Sequence, residues 1–145
     1  MTESGYKPPD LTLVGEEHTR RYLETDGETG HEWSGVHTLL LTTTGRKSGK
    51  ARISPMIYGQ DGDSYVVIAS QGGAPAHPSW YLNLQADPEV QVQVGAHRFT
   101  ARASSAEGEE RDRLWKLMAG IWPNFDVYQT RTERRIPVVL LAPTS

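Results

Sequence analysis

The chain has 145 residues, a formal net charge of −3, 37% hydrophobic residues and no cysteine. That length suits one domain with a real core; the missing cysteines exclude disulfides, thiolate zinc sites and cysteine nucleophiles, and the mild acidity argues against a general nucleic-acid binder. No apolar run approaches the ~20 residues that span a bilayer, and MTESGYKPPD has no signal-peptide core, so a cytoplasmic protein without a membrane anchor is expected. Two parts are predicted: a tail and short helix over 1–30, then a folded domain over 31–145.

Residues 1–10 read as a tail. Gly15–Leu23 is a short helix candidate with Val14, His18 and Tyr22 on one face. Asp26-Gly27 and Thr29-Gly30 break the chain, and Trp33 in the following link reads as a packing plug. Thr38–Thr44 and Ile53–Tyr58 are strands about a turn that contains Gly45, Ser48 and Gly49. Asp61-Gly62 signals the next hairpin, which leads into a strand over Ser64–Ser70 and the loop Gln71–Pro75, with exposed backbone amides. His77-Pro78-Ser79-Trp80 starts a helix, with Trp80 and Leu84 as its inner face and Asp87-Pro88 as its stop. Glu89–Val94 alternates with its valines inward. After the turn at Gly95-Ala96, His97–Ser104 returns with Phe99, Ala101 and Ala103 on one face and His97 toward solvent.

Ser104 and Glu107 have the spacing of a capping box for a helix striped by Leu114, Leu117, Met118 and Ile121. Gly120 and Pro123 end that helix, an aromatic loop carries Trp122, Phe125 and Tyr128, and Ile136–Leu141 is the last strand. The result is six strands and three helices. Such a mainly antiparallel α+β chain closes most easily into a small barrel.

Residues 33–60 hold no acid and carry +4, from Arg46, Lys47, Lys50 and Arg52, whereas 1–32 carry −5 and 61–145 carry −2. A compact basic turn on an acidic chain suggests one local anionic group rather than a long polyanion. Glycines there permit the positive-φ conformations that build anion-binding nests. Arg46 and Arg52 add bidentate contacts and Lys47 a point charge. The turn is no P-loop: Gly45 to Gly49 is one residue short, and Ala51 stands where a hydroxyl belongs. A solvated hairpin tip explains the same charges equally well. Elsewhere no Ser-His-Asp order has supporting spacing, the five histidines lack metal-ligand spacing, and Glu109-Glu110 suit a helix N-terminus. What remains is a basic turn, a Gly-rich loop after a strand and an aromatic cluster. Those are parts of a site in which a bound cofactor does the chemistry.

Three stretches in order, LLLTTTGRKSGKAR, DGDSYVVIASQGGAPAHPSWYLNLQADPEVQVQV and IWPNFDVYQTRTERRIPVVLL, resemble the deazaflavin (F420)-dependent nitroreductase family of actinobacteria, over about residues 36–142. The resemblance implies a split β-barrel like that of FMN-binding oxidases, with 31–145 as the F420-binding domain. It implies reduced coenzyme F420 as hydride donor to a quinone-like or nitro acceptor. It places the cofactor's anionic tail on Arg46, Lys47, Ser48 and Arg52, with Ile53 beside it and Ser54 and Pro55 along the ribityl chain. Ile68, Ala69, Ser70 and Gln71 would meet the ring edge, and Ser79, Trp80, Tyr81, Leu82 and Asn83 would form the other wall, with Trp80 packed behind it. Phe125 and Tyr128 would line the substrate pocket, with the Tyr128 hydroxyl touching the acceptor. Many relatives carry Lys where Gln71 stands, and the nitro-reducing member carries Tyr at the position of Phe125. An FMN oxidoreductase of the same fold and a non-catalytic F420 carrier stay open as alternatives, as does the choice between monomer and homodimer.

Overall fold

The computed structural model describes residues 14–144; the tail expected over 1–10 lies outside them. The elements in chain order are α1 (Gly15–Thr25), β1 (Glu32–Trp33), β2 (Val36–Thr44), β3 (Ala51–Ile57), β4 (Gly59–Asp61), β5 (Ser64–Ile68), a 3₁₀ turn (Gln71–Gly73), α2 (Ser79–Ala86), β6 (Glu89–Val94), β7 (His97–Ser105), α3 (Gly108–Ile121), α4 (Asn124–Thr130) and β8 (Val138–Pro143). All strand pairs are antiparallel. The sheet runs β1-β2-β6-β7-β8-β5-β4, and β3 pairs with β2 off that path. β2 is the hub, in register with β3 from Thr38↔Ile57 to Thr44↔Ala51 and with β6 from Leu40↔Gln93 to Thr42↔Gln91.

Side chains alternate across a strand, so each inner strand feeds two cores. Leu39, Leu41, Val67, Val139 and Leu141 point into the curled sheet with Val90, Val92, Phe99, Ala101 and Ala103, and Tyr81 and Leu84 of α2 plug it. Val66, Ile68 and Val138 point the other way, against Leu114 and Met118 of α3 and Phe125 of α4, with Trp122 between the two helices.

Five expectations change. The described residues form eight strands because the two-residue β1 and three-residue β4 extend neighbouring hairpins; runs that short carry no periodicity. The aromatic loop is instead helix α4, whose Phe125 and Val127 are buried; seven residues with little helix propensity are held by tertiary contacts, burial together with the hydrogen bonds of Asp126 and Gln129. The capping box does not form: Ser104 is strand, paired with Leu140, and the N-cap Glu107 makes no side-chain cap. Finally, the inward face of α2 is Tyr81, Asn83 and Leu84, with Trp80 at its edge, and Leu117 of α3 is exposed.

Candidate active site

The turn between β2 and β3 is closed by two backbone bonds, Gly45 N–H to Lys50 O and Gly49 N–H to Gly45 O, both 2.8 Å. Asn83, buried on α2, fastens it. Its Oδ1 accepts from the Arg46 backbone N–H at 3.1 Å and from Arg46 Nη1 at 2.8 Å, while its Nδ2 donates to Thr43 Oγ1 at 3.3 Å. Between turn and helix lies an open cleft of about 540 Å³ lined by Gly45, Arg46, Lys47, Ser48, Ala51, Arg52, Ile53, Ser54, Ser79, Trp80 and Asn83. No carboxylate among the described residues pairs with Lys47 or Arg52. Cations without protein partners on a concave wall are a donor set for an outside anion.

Trp80 is also a wall of a second cleft, of about 320 Å³. This one is aromatic. His18 and Trp33 stack at 6.1 Å, Trp33 meets Trp122 at 5.7 Å, and Phe125 meets Tyr128 edge-on at 6.1 Å. Pro55, Met56, Ile57, Ile68, Thr38, Val14 and Gly15 complete the wall with Ser70, Gln71 and Gly72; among the described residues no Asp, Glu, Lys or Arg lines it. Tyr128 Oη accepts from Trp122 Nε1 at 3.5 Å, which leaves the phenol proton free for a ligand.

The loop after β5 forms one edge of this cleft and is held in an unusual shape. Gln71 has φ +46 and Gly73 φ +84. A Cβ on Gly73 would meet Tyr128 O at 2.5 Å, so only glycine lets the loop lie on α4. Arg134 locks it from beneath: Nε donates to Ala74 O at 2.8 Å, Nη2 to Ser70 O at 2.8 Å, and Nη1 to Ala69 O at 3.2 Å and His77 Nδ1 at 3.0 Å.

Of the residues singled out in the sequence, Arg46, Lys47, Ser48, Arg52, Ile53, Ser54, Ser79 and Asn83 line the basic cleft. Pro55, Ile68, Ser70, Gln71, Phe125 and Tyr128 line the aromatic one, and Trp80 belongs to both. Three positions do not join them. Ala69 is fully buried in the sheet's core, Tyr81 turns inward to pair its hydroxyl with Ser105 Oγ at 2.9 Å, and Leu82 lines neither cleft. Strand alternation and helical rotation put every second or third residue away from any one wall. Trp80 is itself the wall rather than packing behind it. His18, Trp33, Trp122 and Arg134 were not legible as site residues. The spacing of His18 and Tyr22 shows a buried face, but only the tertiary fold brings that face over the cleft.

A family model described as F420H(2)-dependent quinone reductase matches residues 14–143. An F420H(2)-dependent quinone reductase of Mycobacterium tuberculosis (strain ATCC 25618 / H37Rv) is 41% identical over 128 residues, which are 86% of each chain. A second, putative one from that strain is 42% identical over 108 residues, 74% of this chain and 91% of the relative. Among solved structures, an F420-H2 dependent reductase (FDR-A) is 45% identical with TM-score 0.67, over 72% of this chain and 92% of that one. Another, described as a domain-swapped dimer, is 42% identical with TM-score 0.70, over 86% and 94%. A putative pyridoxamine 5'-phosphate oxidase from Listeria innocua, 15% identical with TM-score 0.53 over 87% and 93%, shares the fold alone. The fold is thus the expected split barrel. The family's reduced F420 decides against FMN, and its reductase activity against a non-catalytic carrier.

Proposed function

Because the chain belongs to the F420H(2)-dependent quinone reductase family, we propose that the basic cleft holds the tail of the reduced deazaflavin, and that the aromatic cleft holds its ring and the quinone. When bound, the cofactor supplies a hydride to the acceptor. One observation carries the assignment: two clefts of opposite character meet at Trp80, one with Arg46, Lys47 and Arg52, the other with no Asp, Glu, Lys or Arg among the described residues. A ligand that is anionic at one end and flat and apolar at the other fits that division. The free cations bind the tail, Ser54 and Pro55 guide the chain between the clefts, and Ser70, Gln71 and Ile68 meet the ring. Phe125 and Tyr128 pack on the acceptor, and Tyr128 directs its hydroxyl at an acceptor oxygen. Domain 31–145 therefore carries the cofactor, while α1 from the N-terminal segment closes the acceptor end.

Phe125 makes quinones better acceptors than nitro compounds, since a ring without a hydroxyl can stack on a flat acceptor but cannot donate to a nitro oxygen. Among the described residues no helix is long and apolar enough to cross a membrane, and we place the reaction in the cytoplasm. A homodimer is the assembly we infer, on the analogy of the 42% identical relative described as a domain-swapped dimer. The test is a panel of acceptors with excess reduced F420: menadione should turn over, nitro compounds poorly, and Phe125→Tyr should raise the nitro-to-quinone ratio. An unchanged ratio would remove Phe125 from the acceptor site.

A further inference from the structure

His18 is 3% exposed and sits on the wall of the aromatic cleft. Its Nε2 lies 2.8 Å from Gly30 O and 3.3 Å from Thr38 Oγ1. Thr38 Oγ1 donates its own proton to Gly30 O, and a carbonyl only accepts. Nε2 must therefore carry the hydrogen, which makes Nδ1 the nitrogen whose protonation is free to change. Gly30, at φ +112, permits this contact, because a Cβ there would meet the His18 ring at 3.1 Å. Every fully buried side-chain nitrogen or oxygen among the described residues has a hydrogen-bond partner. Among the described residues Nδ1 of His18 has no hydrogen-bond partner and so is not fully buried, and the ring that carries it lines the cleft.

We propose that His18 donates, from Nδ1, the proton that completes reduction of the quinone. This rests on the reading of the aromatic cleft as the acceptor site. A quinone that has taken a hydride holds two added electrons but only one proton, and is a monoanion. The Nδ1–H bond of the His18 imidazolium breaks as an O–H bond forms on the second quinone oxygen. The electron pair stays on Nδ1, leaving a neutral imidazole still bonded through Nε2–H to Gly30, and solvent returns the proton. An imidazolium is a stronger acid than a phenol by about 3.5 units in water, so it supplies this proton more readily than a tyrosine does. The groups that face His18 are Tyr22 one turn along α1, the stacked Trp33, the Thr38 hydroxyl and, on the cleft wall, Tyr128; His31 lies behind Tyr22, ring to ring at 6.5 Å. Among the described residues no carboxylate, lysine or arginine lines the cleft around it.

His18→Gln keeps an amide donor for Gly30 O and removes the transferable proton. With reduced F420 saturating, menadione turnover should fall about a hundredfold, while F420 affinity by fluorescence titration falls far less. A variant that retains the wild-type rate overturns the proposal. Nitrogen-15 histidine spectra of the cofactor-free wild-type protein give an arm that does not depend on the variant's folding: menadiol, the hydroquinone, should move the His18 Nδ1 signal and leave Nε2 protonated. A Nδ1 signal that does not respond while the Trp33 and Trp122 indole signals do also overturns it. If the indoles too are unmoved, the cleft reading has failed instead.

Discussion

The guanidinium of Arg134 reaches three carbonyls and one imidazole nitrogen of a single loop, Ala69 to His77. A lysine ammonium cannot reproduce that fork. Arg134→Lys should lower stability by about 2 kcal/mol, read as a melting temperature roughly 5–10 °C lower, and should raise KM for menadione by loosening the edge at Ser70 and Gln71. An unchanged melting temperature would show that the loop holds its shape without the clamp. Burial first, and the Arg134 charge second, push the His77 pKa below its ordinary 6.5. Its folded value is the lower one, so its contribution to stability is present above about 6.5 and is lost as pH falls through the folded value. Wild-type melting temperature should therefore drop on acidification from pH 7 to 5. His77→Gln, whose amide oxygen can still accept from Arg134, should flatten the part of that drop that belongs to this site.

At the scale of the element, the basic turn divides its cations between two jobs. Arg46 is tied to α2 through Asn83 and the Ser79 carbonyl, at 2.8 and 3.4 Å from Nη1, whereas Arg52 makes no ion pair among the described residues. Arg52→Ala should thus weaken F420 binding about ten- to a hundredfold, the worth of one charge-assisted contact of roughly 1.5–3 kcal/mol. Stability should stay unchanged. Arg46→Ala should weaken binding and also lower the melting temperature, because Asn83 loses a partner inside the protein. In both variants kcat at saturating cofactor should change little and the salt dependence of binding should shrink. Equal affinity of wild type and Arg52→Ala at low salt would move the tail elsewhere. The sequence shows these charges plainly, since four cations within seven positions need no structure to be seen. It does not show which of them is already bonded, because Asn83 lies 37 residues from Arg46 and nothing local joins them.

Across the whole molecule, legibility follows the range of the interaction. The longer strands and the helices α1, α2 and α3 are readable because alternation and helical spacing act over a few residues. The short β1 and β4 and helix α4 exist only because neighbours cover them. The aromatic cleft is hardest to read, since its rings come from α1, β1, α2 and α4 and the segment at Trp122, far apart in sequence. What holds α1 in that assembly is Tyr22, fully buried, whose hydroxyl lies 3.0 Å from Thr38 O and 3.3 Å from Gln93 O and accepts from Gly95 N–H at 2.7 Å. The phenol joins the helix to β2 and to the β6–β7 turn at once. Tyr22→Phe leaves the Gly95 N–H without its acceptor and should cost about 1–3 kcal/mol. Because α1 carries His18 and the cleft edge at Gly15, the same change should raise KM for menadione more than it weakens F420 binding, since the basic turn that takes the cofactor's tail does not touch α1. The pH dependence gives the tie a second signature. Burial raises the Tyr22 pKa from 10.0 to about 12. The folded state then holds its proton where the unfolded chain has lost it, so stability is full below pH 10 and falls as pH climbs toward 12. Wild-type protein should lose melting temperature over that alkaline window, and Tyr22→Phe should start lower and show a shallower decline. Parallel alkaline curves for the two proteins would mean that the Tyr22 hydroxyl is not what fixes α1 to the barrel.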